Sequence, residues 1–269
     1  MRLITLVLLG IFSTSLWATD CAQVRKHYQC DGDTKYPIHL TFDDGPADLT
    51  PRVLDMLKRE NIPATFFIIA YKVDCENYRR QCANNGITMQ NCADYQLCQV
   101  RKNTLKRIVA EGHMVGSHSY RHDKHSEIPA SLMHQYIQRS KQVLGPYLTS
   151  QPPMFRLPNG DGWFNRASQP QVLRAVEKYG FKHIAWEMSA FDWRVSDQQG
   201  DKILDTVMNE ICTKKKGLIL FHDGDSEQDH IGRTYTNTHI AKWIPKVRCV
   251  ADFKPLNYFY PDLKITTQK

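Results

Sequence analysis

Residues 37–46 read PIHLTFDDGP and join an apolar run to two adjacent carboxylates, Asp43 and Asp44. The short apolar and β-branched run over 37–42 predicts a buried β-strand. Gly45 and Pro46 predict the turn that follows the strand. Adjacent aspartates also occur by chance or as turn residues. The pair indicates a functional site only because it stands at the end of a predicted strand. Two like charges at a strand end repel each other and need cations nearby to stay ionised.

Outward from this stretch, seven apolar runs alternate with six amphipathic stretches, as in βα units with a parallel sheet. Strands are predicted over 37–42, 64–69, 113–118, 154–156, 182–186, 217–222 and 253–258. Helices are predicted over 51–61, 104–111, 130–144, 171–179, 201–212 and 238–250. This alternation and the chain length predict an α/β fold, a (β/α) barrel of about seven parallel strands. A doubly wound open sheet is the alternative.

The first 18 residues have the order of a secretory signal peptide, with Arg2, an apolar run and small residues up to Ala18. The apolar run is shorter than the roughly 20 residues that span a bilayer, which disfavours a membrane anchor. We therefore expect an exported protein, periplasmic or secreted, without a transmembrane anchor after cleavage. The predicted organisation is a signal peptide over 1–18, an N-terminal segment over 19–36 and one domain over 37–269.

The composition is that of a globular protein, because 42% of the 269 residues are hydrophobic and 23% are charged. Disordered and collagen-like chains are thereby excluded. The formal net charge of +7 falls to +6 when Arg2 leaves with the signal peptide. The excess is spread along the chain, apart from Lys214 to Lys216, so it favours acidic polymers in general and does not indicate nucleic-acid binding.

All eight cysteines follow the predicted signal peptide, and an even number in an exported chain predicts disulfides. Four of them fall within residues 71–100, namely Cys75, Cys82, Cys92 and Cys98. This stretch has little apolar periodicity, so it is predicted to be a disulfide-stapled loop insertion. A zinc knuckle is the alternative, but the close two-residue spacing of such sites is missing.

The other four cysteines lie outside the insertion. Local pairs of Cys21 with Cys30 and of Cys212 with Cys249 are expected. A redox function is the alternative for a chain with eight cysteines. The sequence disfavours it, because no two cysteines have the Cys-x-x-Cys spacing that typically supports redox chemistry.

Polar residues stand at the ends of four predicted strands: Asp43 and Asp44, His118 with His122, Arg156, and His222. Each has an ordinary alternative as a turn, surface or solvated residue. Because the carboxyl ends of parallel strands meet at one edge, we expect these side chains to lie together. Two histidines four apart share a face on a helical turn and can reach one metal ion. One carboxylate would complete a set that leaves coordination positions open.

Five segments in this order resemble the motifs of the polysaccharide deacetylases, carbohydrate esterase family 4. They are residues 41–46, 118–122, 156–160, 192–193 and 220–222. The resemblance runs from residue 37 to the final predicted strand and leaves the insertion outside. It implies a distorted (β/α) barrel, a divalent metal ion and removal of acetyl groups from N-acetylated sugars. Zinc is the expected metal, while cobalt or iron would also fit nitrogen and oxygen ligands.

The resemblance implies that Asp44, His118 and His122 hold the metal ion and that Asp43 is the general base. A divalent cation lowers the pKa of water and polarises a carbonyl, and Asp43 must be ionised to accept a proton. Arg156 can keep Asp43 ionised by pairing with it, and its fork of donors suits a carboxylate better than lysine would.

The same resemblance makes His222 the general acid, which must start protonated to release an amine. Asp192 is the matching carboxylate that would favour this form. The backbone N–H of Asn159 is expected to stabilise the oxyanion. Trp193 and Leu220 are expected to form walls around the acetyl methyl, although each has an alternative as ordinary core.

The chain departs from the family pattern at three positions, which affects the substrate subsites. Ser189 stands where an acidic residue is common, Leu157 replaces a common proline and Asn159 a common tyrosine. A backbone N–H is available from any residue other than proline, so the oxyanion role tolerates Asn159.

The predicted function is a metal-dependent deacetylase of N-acetylglucosamine in peptidoglycan. Export, a basic mature chain, family usage and aromatic residues near the motifs, Tyr120 and Trp163, favour this substrate. Chitin, another N-acetylated polysaccharide or O-acetylated xylan are alternative substrates. A non-catalytic carbohydrate-binding protein on the same fold is an alternative of a different class, in which Asp43 would be dispensable.

Overall fold

A computed structural model describes residues 19–162, 166–195, 199–224 and 231–266. The predicted signal peptide and Trp163 lie outside the described residues. Among the described helices, none combines the length and apolarity needed to cross a lipid bilayer.

The central sheet consists of parallel strands with helices in the connections, which confirms the predicted distorted (β/α) barrel of about seven strands. The described residues contain ten strands in all, of which β4 and β10 lie outside the central sheet. They are β1 (Tyr36–Asp43), β2 (Ala64–Ile68), β3 (Met114–Ser117), β4 (Ser150–Gln151), β5 (Met154–Phe155), β6 (Lys182–His183), β7 (Met188–Ser189), β8 (Gly217–His222), β9 (Ala251–Phe253) and β10 (Lys264–Ile265). Their order is β6-β5-β3-β2-β1-β8-β7, with β9 beside the start of β1 and β10 paired with β4 separately. No ladder joins β6 to β7 within the described residues, so the barrel is open there.

Eight α-helices flank or precede these strands in the described ranges. They are α1 (Cys21–His27), α2 (Thr50–Glu60), α3 (Cys75–Asn84), α4 (Ala93–Ala110), α5 (Ala130–Leu144), α6 (Gln169–Lys178), α7 (Asp201–Lys214) and α8 (Ile231–Val247). Four of the six predicted helices correspond to α2, α5, α6 and α7, with ends within two residues of those predicted. The helix predicted over 238–250 is α8, which starts seven residues earlier, and the one predicted over 104–111 is the end of the longer α4.

The side chains of β1 alternate between the hydrophobic core on one face of the sheet and the candidate site on the other. Ile38, Leu40 and Phe42 belong to the main hydrophobic cluster, together with side chains of α2, α7 and α8. The Phe42 ring stacks between those of Phe66 and Phe221, with centroids 5.1 and 5.7 Å away. Because successive side chains of a strand point to opposite faces, Asp43 projects from the other face of the sheet.

One predicted strand had the wrong bounds and one short strand was not predicted, each for a local reason. The last predicted strand, 253–258, is β9 (Ala251–Phe253) followed by a 3-10 turn (Leu256–Tyr258). Pro255 lies between them and cannot donate a hydrogen bond to a neighbouring strand. The short strand β7 was not predicted, because two residues are too few to give a periodic pattern.

The insertion over 71–100 is stapled as predicted, but it is helical rather than a loop. It contains α3 and the first part of α4, joined by disulfides Cys75–Cys98 and Cys82–Cys92. Apolar periodicity is weak there because both helices are largely exposed, and cysteines and tyrosine form much of the buried contact. The zinc-knuckle alternative is excluded, since all eight cysteines are in disulfides.

The two expected local disulfides were wrong. Cys21 pairs with Cys249, and Cys30 pairs with Cys212, over sequence separations of 228 and 182 residues. The N-terminal segment runs into β1 beside β9, so both of its cysteines come close to the C-terminal half of the barrel. Spatial proximity through the sheet, and not nearness in sequence, decided the pairing.

We predict that the double variant Cys30→Ser/Cys212→Ser loses about 2–5 kcal/mol of unfolding free energy, because a cross-link over so long a loop restricts the unfolded chain. Denaturant unfolding monitored by circular dichroism measures this loss. Peptide mapping of unreduced protein provides the control for connectivity. A peptide linking Cys21 to Cys30 would contradict the assignment.

Candidate active site

The predicted site residues converge at the carboxyl edge of the sheet. Asp43 is the last residue of β1 and pairs in register with His222, the last residue of β8. Asp44 follows with φ of 71°, a left-handed conformation that aspartate tolerates better than most residues. This turn separates the two adjacent carboxylates, so that each has different partners.

Asp44, His118 and His122 form one buried cluster. The Nε2 atoms of His118 and His122 lie 3.4 and 3.2 Å from Asp44 Oδ1. One potential ligand atom from each residue lies within 4.8 Å of the others. The Asp44 side chain is fully buried, and while Oδ1 faces the two imidazoles, Oδ2 lies 3.0 Å from Arg233 Nη1. Two imidazoles and a buried carboxylate with ligand atoms this close together are a donor set that fits a divalent cation such as zinc.

The route by which the two histidines meet differs from the predicted helical turn. Residues 118–122 form an irregular loop in which Ser119 and His122 have φ of 70° and 67°. The loop is held by backbone hydrogen bonds from Ala70 N to Ser119 O and from Tyr71 N to Tyr120 O. The four-residue spacing of His118 and His122 therefore predicted correctly that they share a site. The predicted helical turn was wrong, because an irregular loop brings them together.

Hydrogen bonding orients one candidate ligand, and burial and nearby charges shift the pKa values of the other two. His118 Nδ1 donates to the carbonyl oxygen of Arg156 at 2.9 Å, which fixes the ring so that Nε2 is the nitrogen facing Asp44. Burial lowers the pKa of His122 to about 3, although Asp44 partly opposes this shift. Burial would raise the pKa of Asp44, but the surrounding histidines more than offset it and hold that pKa well below its usual range. Metal ligands must be deprotonated in this way.

Arg156 and Asp43 form a second buried unit. Arg156 is fully buried, and its Nη1 donates to Asp43 Oδ1 and to Thr41 Oγ1, both at 2.8 Å. Burial lowers the pKa of Arg156, and Asp43 opposes that shift. The other Asp43 oxygen, Oδ2, lies 3.6 Å from His118 Nε2. Asp43 is thus held by Arg156 on one side and faces the histidine cluster on the other.

His222 and Asp192 form the third unit. His222 Nδ1 lies 2.7 Å from Asp192 Oδ1, and the His222 backbone N–H donates to Oδ2 at 2.9 Å. Burial alone would lower the pKa of His222, but the Asp192 carboxylate outweighs it, so the pKa is raised above its ordinary value. The arrangement favours an imidazolium with its Nε2 proton available.

One cavity of about 480 Å³ brings these units together. Its lining includes the predicted residues Asp43, His118, His122, Asn159, Trp193, Leu220 and His222. Asn159 has φ of 58°, a conformation in which asparagine is more readily accommodated than most side chains. The structure thus places all ten predicted site residues in or directly beside one cavity.

Sequence reasoning missed Trp186, Arg194 and Arg233, which also line the cavity. Arg233 lies on α8, where its Nη1 is 3.0 Å from Asp44 Oδ2. The helix was expected to begin only at residue 238, which left Arg233 outside any predicted element. Arg194 directly follows the motif at residues 192–193, and this position is the sequence signal that could have identified it as a site residue.

The comparisons with known proteins agree with this geometry. The polysaccharide deacetylase family model matches residues 31–184, more than half of the chain. The chain belongs to this family, which confirms the resemblance of its motifs. The matched range contains the histidine cluster, Asp43 and Arg156, and it ends before Asp192.

Several individual proteins are similar over most of the fold. A peptidoglycan-N-acetylglucosamine deacetylase of Bacillus cereus is 27% identical over 60% of this chain, and the chain spans only 47% of that relative. A chitooligosaccharide deacetylase of Bradyrhizobium is 29% identical over 75% of this chain and 76% of its own length. The crystal structure of a peptidoglycan N-acetylglucosamine deacetylase superposes with a TM-score of 0.58 and 25% identity, covering 84% of this chain and 89% of that chain.

We predict that Asp192→Asn lowers the pKa of His222 in chelator-treated protein, because the substitution removes the negative charge that favours the imidazolium. NMR titration of the imidazole signals measures this shift, and the exposed His27 provides the reference signal. An unchanged His222 titration would contradict the assigned role of Asp192.

Proposed function

We propose that this chain is a metal-dependent hydrolase that removes acetyl groups from an N-acetylated glycan, with N-acetylglucosamine of peptidoglycan as its substrate. The observation that carries the proposal is the convergence of a buried Asp44–His118–His122 cluster, the Arg156–Asp43 pair and the Asp192–His222 pair on one cavity. A metal set, a carboxylate base and a cationic acid are the complete set that amide hydrolysis requires.

In this proposal, Asp44, His118 and His122 hold a divalent ion, for which zinc is the first choice and cobalt or iron also fit. The bound ion supplies Lewis-acid chemistry, lowering the pKa of water and polarising the acetyl carbonyl. Asp43 accepts the proton of the attacking water, and the 2.8 Å contact with Arg156 orients the carboxylate that does so.

The departing amine is a poor leaving group and needs a proton as the carbon–nitrogen bond breaks. His222 donates it from Nε2, while Asp192 holds Nδ1 and stabilises the cationic ring. The backbone N–H of Asn159 is the proposed donor to the oxyanion. Trp193 and Leu220 line the same cavity and form the proposed apolar wall beside the acetyl methyl.

Three observations support the choice of peptidoglycan. Two similar proteins, one known from sequence and one from a crystal structure, are peptidoglycan N-acetylglucosamine deacetylases. Four disulfides support export to an oxidising compartment, periplasmic or extracellular. The net positive charge favours an acidic wall polymer. The Bradyrhizobium relative favours chitooligosaccharides as a second candidate.

The first test is acetate release from peptidoglycan sacculi, chitin oligomers and acetylated xylan by the purified protein. We expect release from sacculi, its loss after treatment with a chelator that is then removed, and its return when zinc is added back. Calorimetric titration of the chelator-treated protein with zinc measures the site independently of turnover. Release from xylan alone would contradict the proposed substrate.

The second test separates an enzyme from a carbohydrate-binding protein. We predict that Asp43→Asn retains zinc binding but lowers kcat by about 10²–10⁴-fold, because it removes the general base and leaves the proposed metal ligands in place. Asp48→Asn is the matched control, since Asp48 is exposed and lies only five residues further along the chain. Undiminished acetate release by Asp43→Asn would remove Asp43 from the mechanism.

A further inference from the structure

Arg194 occupies an unusual position at the cavity. Its guanidinium carbon lies 4.2 Å from the ring centroid of Trp193 and 5.3 Å from that of Phe191. Both rings are partly exposed, at 39% and 37%, and all three residues line the cavity. Stacking of this kind uses the flat face of the guanidinium and leaves its N–H groups, which lie at the edge, directed to other partners.

Arginines outnumber acidic residues among the described residues that line the cavity. Arg194 has no carboxylate partner among the described residues, whereas the other arginine of the lining, Arg233, lies 3.0 Å from Asp44 Oδ2. Asp43 is the one acidic residue among the described lining residues, and it is bound to Arg156. A cavity wall with this balance attracts a negatively charged ligand.

The geometry points to Arg194 as a specificity residue that binds a carboxylate carried by the glycan next to the sugar being deacetylated. This inference rests on the proposed function and narrows its substrate class to N-acetylated glycans with a free carboxylate, such as peptidoglycan strands from which the peptides have been removed, in preference to neutral glycans such as chitin. The two aromatic rings hold the guanidinium in place before the ligand arrives, so less conformational entropy is lost on binding. A planar guanidinium also matches a carboxylate with two parallel hydrogen bonds.

Two oligosaccharides that differ only in charge provide the sharpest test. Both consist of β-1,4-linked N-acetylglucosamine units in which alternate sugars carry a lactyl ether. In one the lactyl group ends in a carboxylate, and in the other it ends in a primary amide of nearly the same shape. Any difference between the two therefore reports recognition of charge and not of size.

With zinc-loaded wild-type protein, we expect kcat/KM for the carboxylate to exceed that for the amide by about tenfold, mainly through KM, as for one charge-assisted hydrogen-bonded contact. Arg194→Met is expected to bring the two substrates to within about twofold of each other, and Arg194→Lys to retain part of the preference. The preference should also fall as salt is added.

Lys216→Met is the matched control for loss of one surface charge. Lys216 is exposed and its Nζ lies 5.7 Å from the Tyr258 ring centroid, but it precedes β8 at the opposite edge of the sheet. This variant should keep the wild-type preference. Thermal unfolding of Arg194→Met and Arg194→Lys checks that both variants are folded.

Calorimetric binding of both oligosaccharides to Asp43→Asn, with and without Arg194→Met, separates this inference from the proposed function. Tighter binding of the carboxylate that depends on Arg194 supports the inference even if the wild-type protein releases no acetate, a result that would overturn only the proposed hydrolysis. Equal binding of the two oligosaccharides, binding of neither, or a preference unaffected by Arg194→Met would overturn the inference.

Discussion

The buried contact between Arg156 and Asp43 is the interaction on which the site depends. The Arg156 side chain donates to Asp43 and Thr41 of β1 and to the carbonyl oxygens of Ile184 and Ala185 just beyond β6. It therefore connects the centre of the sheet to the edge where the barrel is open. A guanidinium without its carboxylate would be an uncompensated buried charge, which typically costs about 3–5 kcal/mol.

The same residue also couples the candidate base to the candidate metal ligands, because its backbone carbonyl oxygen accepts a hydrogen bond from His118. Asp43 and Asp44 are adjacent in sequence, yet Asp43 is held by Arg156, whereas Asp44 contacts two imidazoles and Arg233. This division gives two chemically different carboxylates within one turn of chain. The site is thus a property of four strand ends, those of β1, β3, β5 and β8, rather than of any single motif.

Much of the fold and the meeting of Asp43, Asp44, His118, Arg156 and His222 were predictable, since strand ends of a parallel sheet must meet at one edge. Asp192, Asn159, Trp193 and Leu220 were predicted only through the resemblance of the motifs. The rest depended on information that local patterns do not carry. The left-handed residues Ser119 and His122 shape a loop that the spacing alone presented as a helix. Arg233 entered the site from a helix that began earlier than its apolar pattern indicated. Disulfide partners were set by the sheet order, which brings distant segments side by side.

The disulfide connectivity has a consequence for biogenesis. Residues at the N-terminus emerge first during synthesis, whereas the partners of Cys21 and Cys30 lie 228 and 182 residues downstream. An oxidant that joined thiols in order of appearance would trap Cys21 with Cys30, and a disulfide isomerase would have to undo that error. Each N-terminal cysteine therefore reaches its native partner only after the C-terminal half of the chain has been made.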